Sequence, residues 1–146
     1  MRVLLIVLAL LAAPAVAQTA PDSVLAQVAT TDATPEQAEA AIDARLAAYN
    51  AHDLEAFIAT MDPGVVVYQF PNQPVVAGAD TLRTSYGRLF ENRPELHTEV
   101  RSRIVQGPFV IDQEVVTGLP GGPREHTAVY FVNASGVIER IWYVTG

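Results

Sequence analysis

Apolar side chains recur every three or four residues from Thr34 to Asn92, and the chain beyond Leu96 reads instead as short strands joined by tight turns. Thr34 is placed to cap a first helix, with Pro35 at its first position and Gln37 three residues on, as a capping box requires. Ile42, Leu46 and Tyr49 then form one face. Asn50 to His52 interrupts it, and Asp53 caps a second helix carrying Leu54, Phe57, Ile58 and Met61, which Asp62-Pro63-Gly64 stops. Val65 to Phe70 is β-branched and aromatic, hence a strand. After a short extended Val75-Val76, Gly78 opens a third helix with Leu82, Tyr86, Leu89 and Phe90 on one stripe, ended by Arg93-Pro94.

Four strands follow, over 96–106, 109–117, 124–132 and 137–144, separated by Gly107-Pro108, by the loop Gly118 to Pro123 and by Asn133-Ala134-Ser135-Gly136. Folding the first hairpin symmetrically about Gly107-Pro108 sets Arg103 across from Asp112 and Arg101 across from Glu114, as cross-strand ion pairs. The other face then holds Val100, Ile104, Phe109, Ile111 and Val115 with Ser102 and Gln113 among them. A mostly apolar surface with isolated polar groups suits a ligand pocket. Helices first and a curled antiparallel sheet after predict an α+β fold, a cone with an apolar mouth.

Met1 and Arg2 precede an apolar run of eleven residues, Val3 to Ala13, and Ala15-Val16-Ala17 is the small-x-small pattern of a signal-peptide cleavage site. That run falls short of the roughly 20 residues that span a bilayer. Residues 1–17 are therefore expected to be a leader, 18–33 a flexible arm, and 34–146 one domain, in a protein that is periplasmic or secreted and keeps no membrane anchor after cleavage. The chain has no cysteine, so stability in an oxidising compartment rests on the core alone. Without the leader, sixteen acids face eight arginines, a net charge of −8, which argues against nucleic acid and anionic membrane as partners.

The stretch from Ala41 to Trp142 resembles the nuclear transport factor 2-like superfamily, in its SnoaL-like and ketosteroid-isomerase-like branch. Tyr49-Asn50-Ala51-His52-Asp53-Leu54 carries the likeness, with Gly78, Leu82, Tyr86 and Phe90, Val105-Gln106-Gly107 running into Val110-Ile111-Asp112, and Gly136-Val137-Ile138 leading to Trp142. The resemblance implies a cystatin-like α+β barrel, a curved antiparallel sheet packed on three N-terminal helices, with a cavity between them and a homodimer formed through the outer sheet face. Ketosteroid isomerases use an Asp base and two donors, a Tyr and a protonated Asp, to hold the enolate oxygen. Aligned on the shared motifs, those three positions fall on Gln69, Arg45 and Ala128. An amide cannot take the proton, so steroid isomerisation by that route is not expected.

What remains is a pocket for an apolar small molecule, lined by Tyr49, Phe57, Tyr68, Tyr86, Phe90, Gln113, His126 and Trp142. His126, two residues before Ala128 on the same strand face, is a candidate general base and Tyr49 a candidate hydroxyl donor. Each also has a plain structural reading, His126 bonded to backbone and Tyr49 as a core aromatic. His52, His97 and His126 lack the spacing of a metal site, Ser85 lacks a nucleophile elbow, and Gly118 to Gly122 lacks the setting of a phosphate loop, so no metal or cofactor is called for. Three functions fit: a small lyase or isomerase acting on a carbonyl compound, a binding protein without chemistry, and, behind these two, a dimerisation module using the outer sheet face. Amino-terminal sequencing of the exported protein should find Met1 to Ala17 removed; an intact Met1 there refutes the leader.

Overall fold

The computed structural model describes residues 32–146. The leader and nearly all of the expected arm lie outside the described residues; Asp32 makes a bridge to Asn133, and Ala33 N donates to the Val132 carbonyl at 3.4 Å. Helix α1, Pro35–Asn50, begins as the capping box dictates: Gln37 N donates to Thr34 Oγ1 and Thr34 N to Gln37 Oε1 at 2.9 Å. Helix α2, Leu54–Ala59, is capped by Asp53, whose carboxylate accepts from Ala56 N at 3.0 Å. Strand β1, Met61–Gln69, starts earlier than expected, because Met61 already pairs with Ile138 before a break in register carries the chain to Val66. Strand β2, Gln73–Ala77, and helix α3, Ala79–Asn92, follow.

The last four strands fall where the turns place them: β3 His97–Gln106, β4 Phe109–Thr117, β5 Arg124–Val132 and β6 Ile138–Val144. One sheet results, in the order β2-β1-β6-β5-β4-β3, curved and open at both ends. All its pairings are antiparallel except β1 with β6, which is parallel, a long crossover of β2, α3 and the β3–β5 meander lying between them in the chain. Helix α1 packs on β3, β4 and β5, while α3 packs on β1 and β2. The core between the layers is built on Ile42, Phe57, Leu82, Tyr130, Ile138 and Ile141.

Two side chains tie α1 to β3. Asn50 Nδ2 donates to the Thr98 carbonyl at 2.9 Å, while Thr98 N donates to Asn50 Oδ1 at 2.8 Å. His52, at φ 54°, stacks on Phe90 at 5.1 Å and bonds through Nε2 to the Leu96 carbonyl at 2.8 Å. It is a helix-junction residue. Gly118 lies against the start of β3, where a Cβ would stand 2.3 Å from the Glu95 carbonyl oxygen, so this loop can close only on glycine.

The first hairpin corrects half of the expected register. Arg103 does sit across from Asp112, with Nε to Oδ1 at 2.7 Å and Nη2 to Oδ2 at 2.8 Å. A bulge at Arg101 then sets Val100 opposite Glu114, and Arg101 instead approaches Glu99 at 3.8 Å. The facing is also reversed: Val110, Asp112, Glu114 and Val116 point toward the helices and are buried. Gln113 is exposed on the outer face beside Ser102, with Ile104 and Phe109 also exposed. Alternation along β4 hides this, since two acidic residues on the inner face look like a solvated edge until their partners are known.

The outer face also takes Tyr68 and Trp142, neighbours on β1 and β6 stacked at 5.5 Å. The residues beside them in sequence, Val67 and Tyr143, point inward, and period-two alternation leaves Tyr68 and Trp142 no route to the inner cavity. On the inner side Tyr49, Phe57, Tyr86 and Phe90 form one aromatic cluster with centroids 4.5 to 6.1 Å apart. Phe57 is 1% exposed. Phe57→Ala should cost about 3 to 5 kcal/mol in urea unfolding; a loss under about 1 kcal/mol would show that the cluster does not organise the core.

Candidate functional site

Between α1, α3 and the concave sheet lies a cavity of about 270 Å³. Its wall is set by strand alternation. Glu114 on β4 points inward, and its cross-strand neighbour on β5 is His126, whose Nε2 lies 3.0 Å from Glu114 Oε2. Four residues further along the same face of β5, the Tyr130 hydroxyl donates to Glu114 Oε1 at 2.6 Å. From the opposite side, Arg45 on α1 brings Nη1 to 3.5 Å from Glu114 Oε1 and donates from Nη2 to the Tyr143 hydroxyl of β6 at 3.3 Å. The guanidinium lies 4.8 Å from the Tyr130 ring and under 6 Å from those of Tyr49 and Phe57.

Arg45 and Glu114 are each 2% exposed. Burial alone would push the Glu114 carboxyl up, but Arg45 and the hydrogen bonds from His126 and Tyr130 outweigh it and hold the group below the usual carboxylate range. Burial likewise opposes the charge on Arg45, which the Glu114 carboxylate and the Tyr130 ring face nevertheless hold at neutral pH. Burial pushes the Tyr49 hydroxyl up to about 12 and raises Tyr130 and Tyr143 as well, so all three stay protonated donors at neutral pH. An ionised carboxylate only accepts, so His126 must donate from Nε2, and in the neutral ring Nδ1 is the free acceptor.

Of the residues expected at the pocket, Tyr49, Tyr86 and His126 line this cavity. Phe57 and Phe90 are buried beneath it in the aromatic cluster. Tyr68, Trp142 and Gln113 do not belong to it, being on the outer face, where Trp142 joins Phe70, Phe109 and Val129 around a shallow apolar hollow. The three positions aligned with steroid isomerase chemistry are also placed: Gln69 is at the rim, its amide donating to Thr145 Oγ1 at 2.9 Å, Ala128 is fully buried, and Arg45 is the floor. Among the described residues, no three His, Asp or Glu side chains converge as a metal would require.

Sequence reasoning missed Glu114, Arg45, Tyr143 and Tyr130. The signal for Glu114 was off by one position: closing the loop Gly118 to Pro123 symmetrically sets it beside Thr127, whereas the actual register gives His126. Arg45 announced itself only as a charge one helical turn before Tyr49, on the face that must be buried.

Glu114 links the site to stability. Its folded pKa lies below the unfolded value of about 4.3, so the stabilisation is complete above that value and is lost as pH falls through the folded one. Removing one partner of a buried pair costs about 3 to 5 kcal/mol. Glu114→Gln should lose that much at pH 7 and converge with the wild type in acid; equal stability of the two proteins at pH 7 in denaturant titrations contradicts the arrangement.

Residues 42–138 match the SnoaL-like domain family. The fold matches solved structures of low identity. An uncharacterised cystatin-fold protein of Novosphingobium aromaticivorans superimposes with a TM-score of 0.65 at 24% identity, over 73% of this chain and 96% of that one. A candidate ketosteroid isomerase of Kribbella flavida gives 0.62 at 19%, over 77% and 79%. A candidate polyketide cyclase of Sinorhizobium meliloti gives 0.60 at 19%, over 70% and 92%. No curated protein sequence matches the chain. With the motif from Tyr49 to Leu54 at the helix junction and the inner cavity both in place, the chain belongs to the SnoaL-like domain family.

Proposed function

We propose that the cavity is an acid–base site that moves a proton on a small, largely apolar carbonyl compound, as an isomerase or lyase does. The observation that carries this is the His126–Glu114 pair at 3.0 Å in the cavity wall, with Glu114 buried and anionic. A histidine oriented by a buried carboxylate is a general base whose protonated form is stabilised where it arises. In this reading Nδ1 of His126 takes a proton from the carbon beside the carbonyl, and the electron pair moves onto the carbonyl oxygen. Tyr49, a hydroxyl of the same wall that stays protonated, donates to that oxygen. Return of the proton to a different carbon, or loss of a leaving group, completes the reaction. Such a base contributes about 100-fold to 10,000-fold in rate. The neighbouring candidate isomerase and candidate cyclase agree with carbon-acid chemistry on this fold.

A second reading, a binding protein without chemistry, draws on Gln69, an amide where a carboxylate base stands in ketosteroid isomerases. We also propose export to the periplasm through residues 1–17, and a homodimer through the outer apolar patch around Phe70 and Trp142. Deuterium exchange separates the first two readings. In heavy water, wild-type protein should speed exchange at the carbons beside the carbonyl of cyclohexanone, and His126→Ala should lower that rate by about 100-fold or more. Wild-type exchange no faster than in buffer leaves only binding.

A further inference from the structure

We propose that the ligand of this cavity carries a carboxylate, received by the Tyr143 hydroxyl and by the Arg45 guanidinium behind it. The inference rests on reading the cavity as a small-molecule site and is independent of proton transfer.

Arg45 makes less use of its donors than a guanidinium this buried normally does. It is 2% exposed, yet Nε and Nη1 form no hydrogen bond. Its ion-pair partner does not complete the set: Glu114 lies 3.5 Å from Nη1, and both of its oxygens are already engaged, Oε1 by Tyr130 at 2.6 Å and Oε2 by His126 at 3.0 Å. Among the described residues Arg45 makes one hydrogen bond, from Nη2 to Tyr143, whose hydroxyl remains a donor that lines the cavity beside Tyr86. A positive group thus stands behind a hydroxyl donor, an arrangement suited to an anionic oxygen.

Charge around the cavity points the same way. Its lining holds two arginines, Arg45 and Arg124, against one carboxylate, Glu114, in a chain whose net charge is −7. Arg124 stands exposed at the mouth, held only by a 3.4 Å bond from Nη2 to the Pro120 carbonyl. A local excess of positive charge on an acidic protein attracts small anions to this opening. Leu89, Val116 and Leu119 form an aliphatic part of the wall, with Gln69, Thr98 and Thr145 as isolated polar groups. At about 270 Å³ the space is just below the usual range of about 300 to 1,000 Å³ for ligand pockets. The class indicated is an apolar monocarboxylate with one ring or a short branched chain.

Isothermal titration calorimetry with cyclohexanecarboxylate and its uncharged isostere cyclohexanecarboxamide tests this. Wild-type protein should prefer the carboxylate by about 10-fold to 100-fold, the ratio of a charge-assisted hydrogen bond to a neutral one. Arg124→Gln should weaken carboxylate binding by a smaller factor that vanishes in high salt. The double variant Arg45→Met with Glu114→Gln keeps the buried charges balanced and, in high salt where the Arg124 share is screened, should bind the two probes nearly alike. Tyr143→Phe, which removes one hydroxyl, should shrink the preference and decides the matter if the double variant does not fold. The inference is overturned if the wild type binds the amide as well as the carboxylate, if the carboxylate does not bind, or if its preference survives both the double variant and Tyr143→Phe. No turnover is read, so the two proposals part cleanly. A protein that binds the carboxylate but exchanges no deuterium keeps this inference and loses the catalytic one, and one that exchanges but prefers the amide does the reverse.

Discussion

Glu114 is the side chain on which the inner half of the molecule depends. One carboxylate on β4 meets Arg45 from α1 and His126 and Tyr130 from β5, and through Arg45 it reaches Tyr143 on β6. Four elements are thereby held to one charge. An isolated pair of this kind is a poor stabiliser, since removing two ions from water costs several kcal/mol each. Here the cost is offset by two hydrogen bonds to the carboxylate and by aromatic faces around the guanidinium. The same cluster orients the histidine and charges the cavity wall, so stability and the proposed chemistry draw on the same atoms.

Much of the fold was legible because its signals are local. The Thr34–Gln37 box, Asp53 as a cap, and the glycines and prolines between strands act over four residues or fewer, and the last four strands begin and end within one residue of their expected places. The start of β1 at Met61 was not legible, because its partner is β6, far along the chain. Nor was the inner face of β4. Inward Asp112 and Glu114 are tolerated only because Arg103 and Arg45 meet them, and those contacts depend on a bulge at Arg101 and on the packing of α1. Propensity and alternation carry no information about either.

The site was legible to the same extent and for the same reason. His126, Tyr49 and Tyr86 were found because helix periodicity and family likeness place them near the concave surface. Tyr68, Trp142 and Gln113 were lost to strand parity, where one position exchanges inside for outside. The three positions aligned with steroid isomerase chemistry hold Gln69 at the rim, Arg45 in the floor and a buried Ala128, so the cavity of this chain carries other groups there. In the proposed reading the acid–base role falls to a histidine and a glutamate facing each other across β4 and β5, since a fold does not fix the chemistry it carries.

The ionisation of Glu114 tests this account most directly. Carbon-13 NMR of glutamate side-chain carboxyls, with Glu114 assigned by comparison with Glu114→Gln, follows that group alone through a pH titration. The account predicts that its signal stays at the carboxylate position down to a pH below about 4.3, where ordinary glutamates have half titrated. A midpoint at or above that value would mean that Arg45, His126 and Tyr130 do not hold a buried anion, and the central cluster would have to be abandoned.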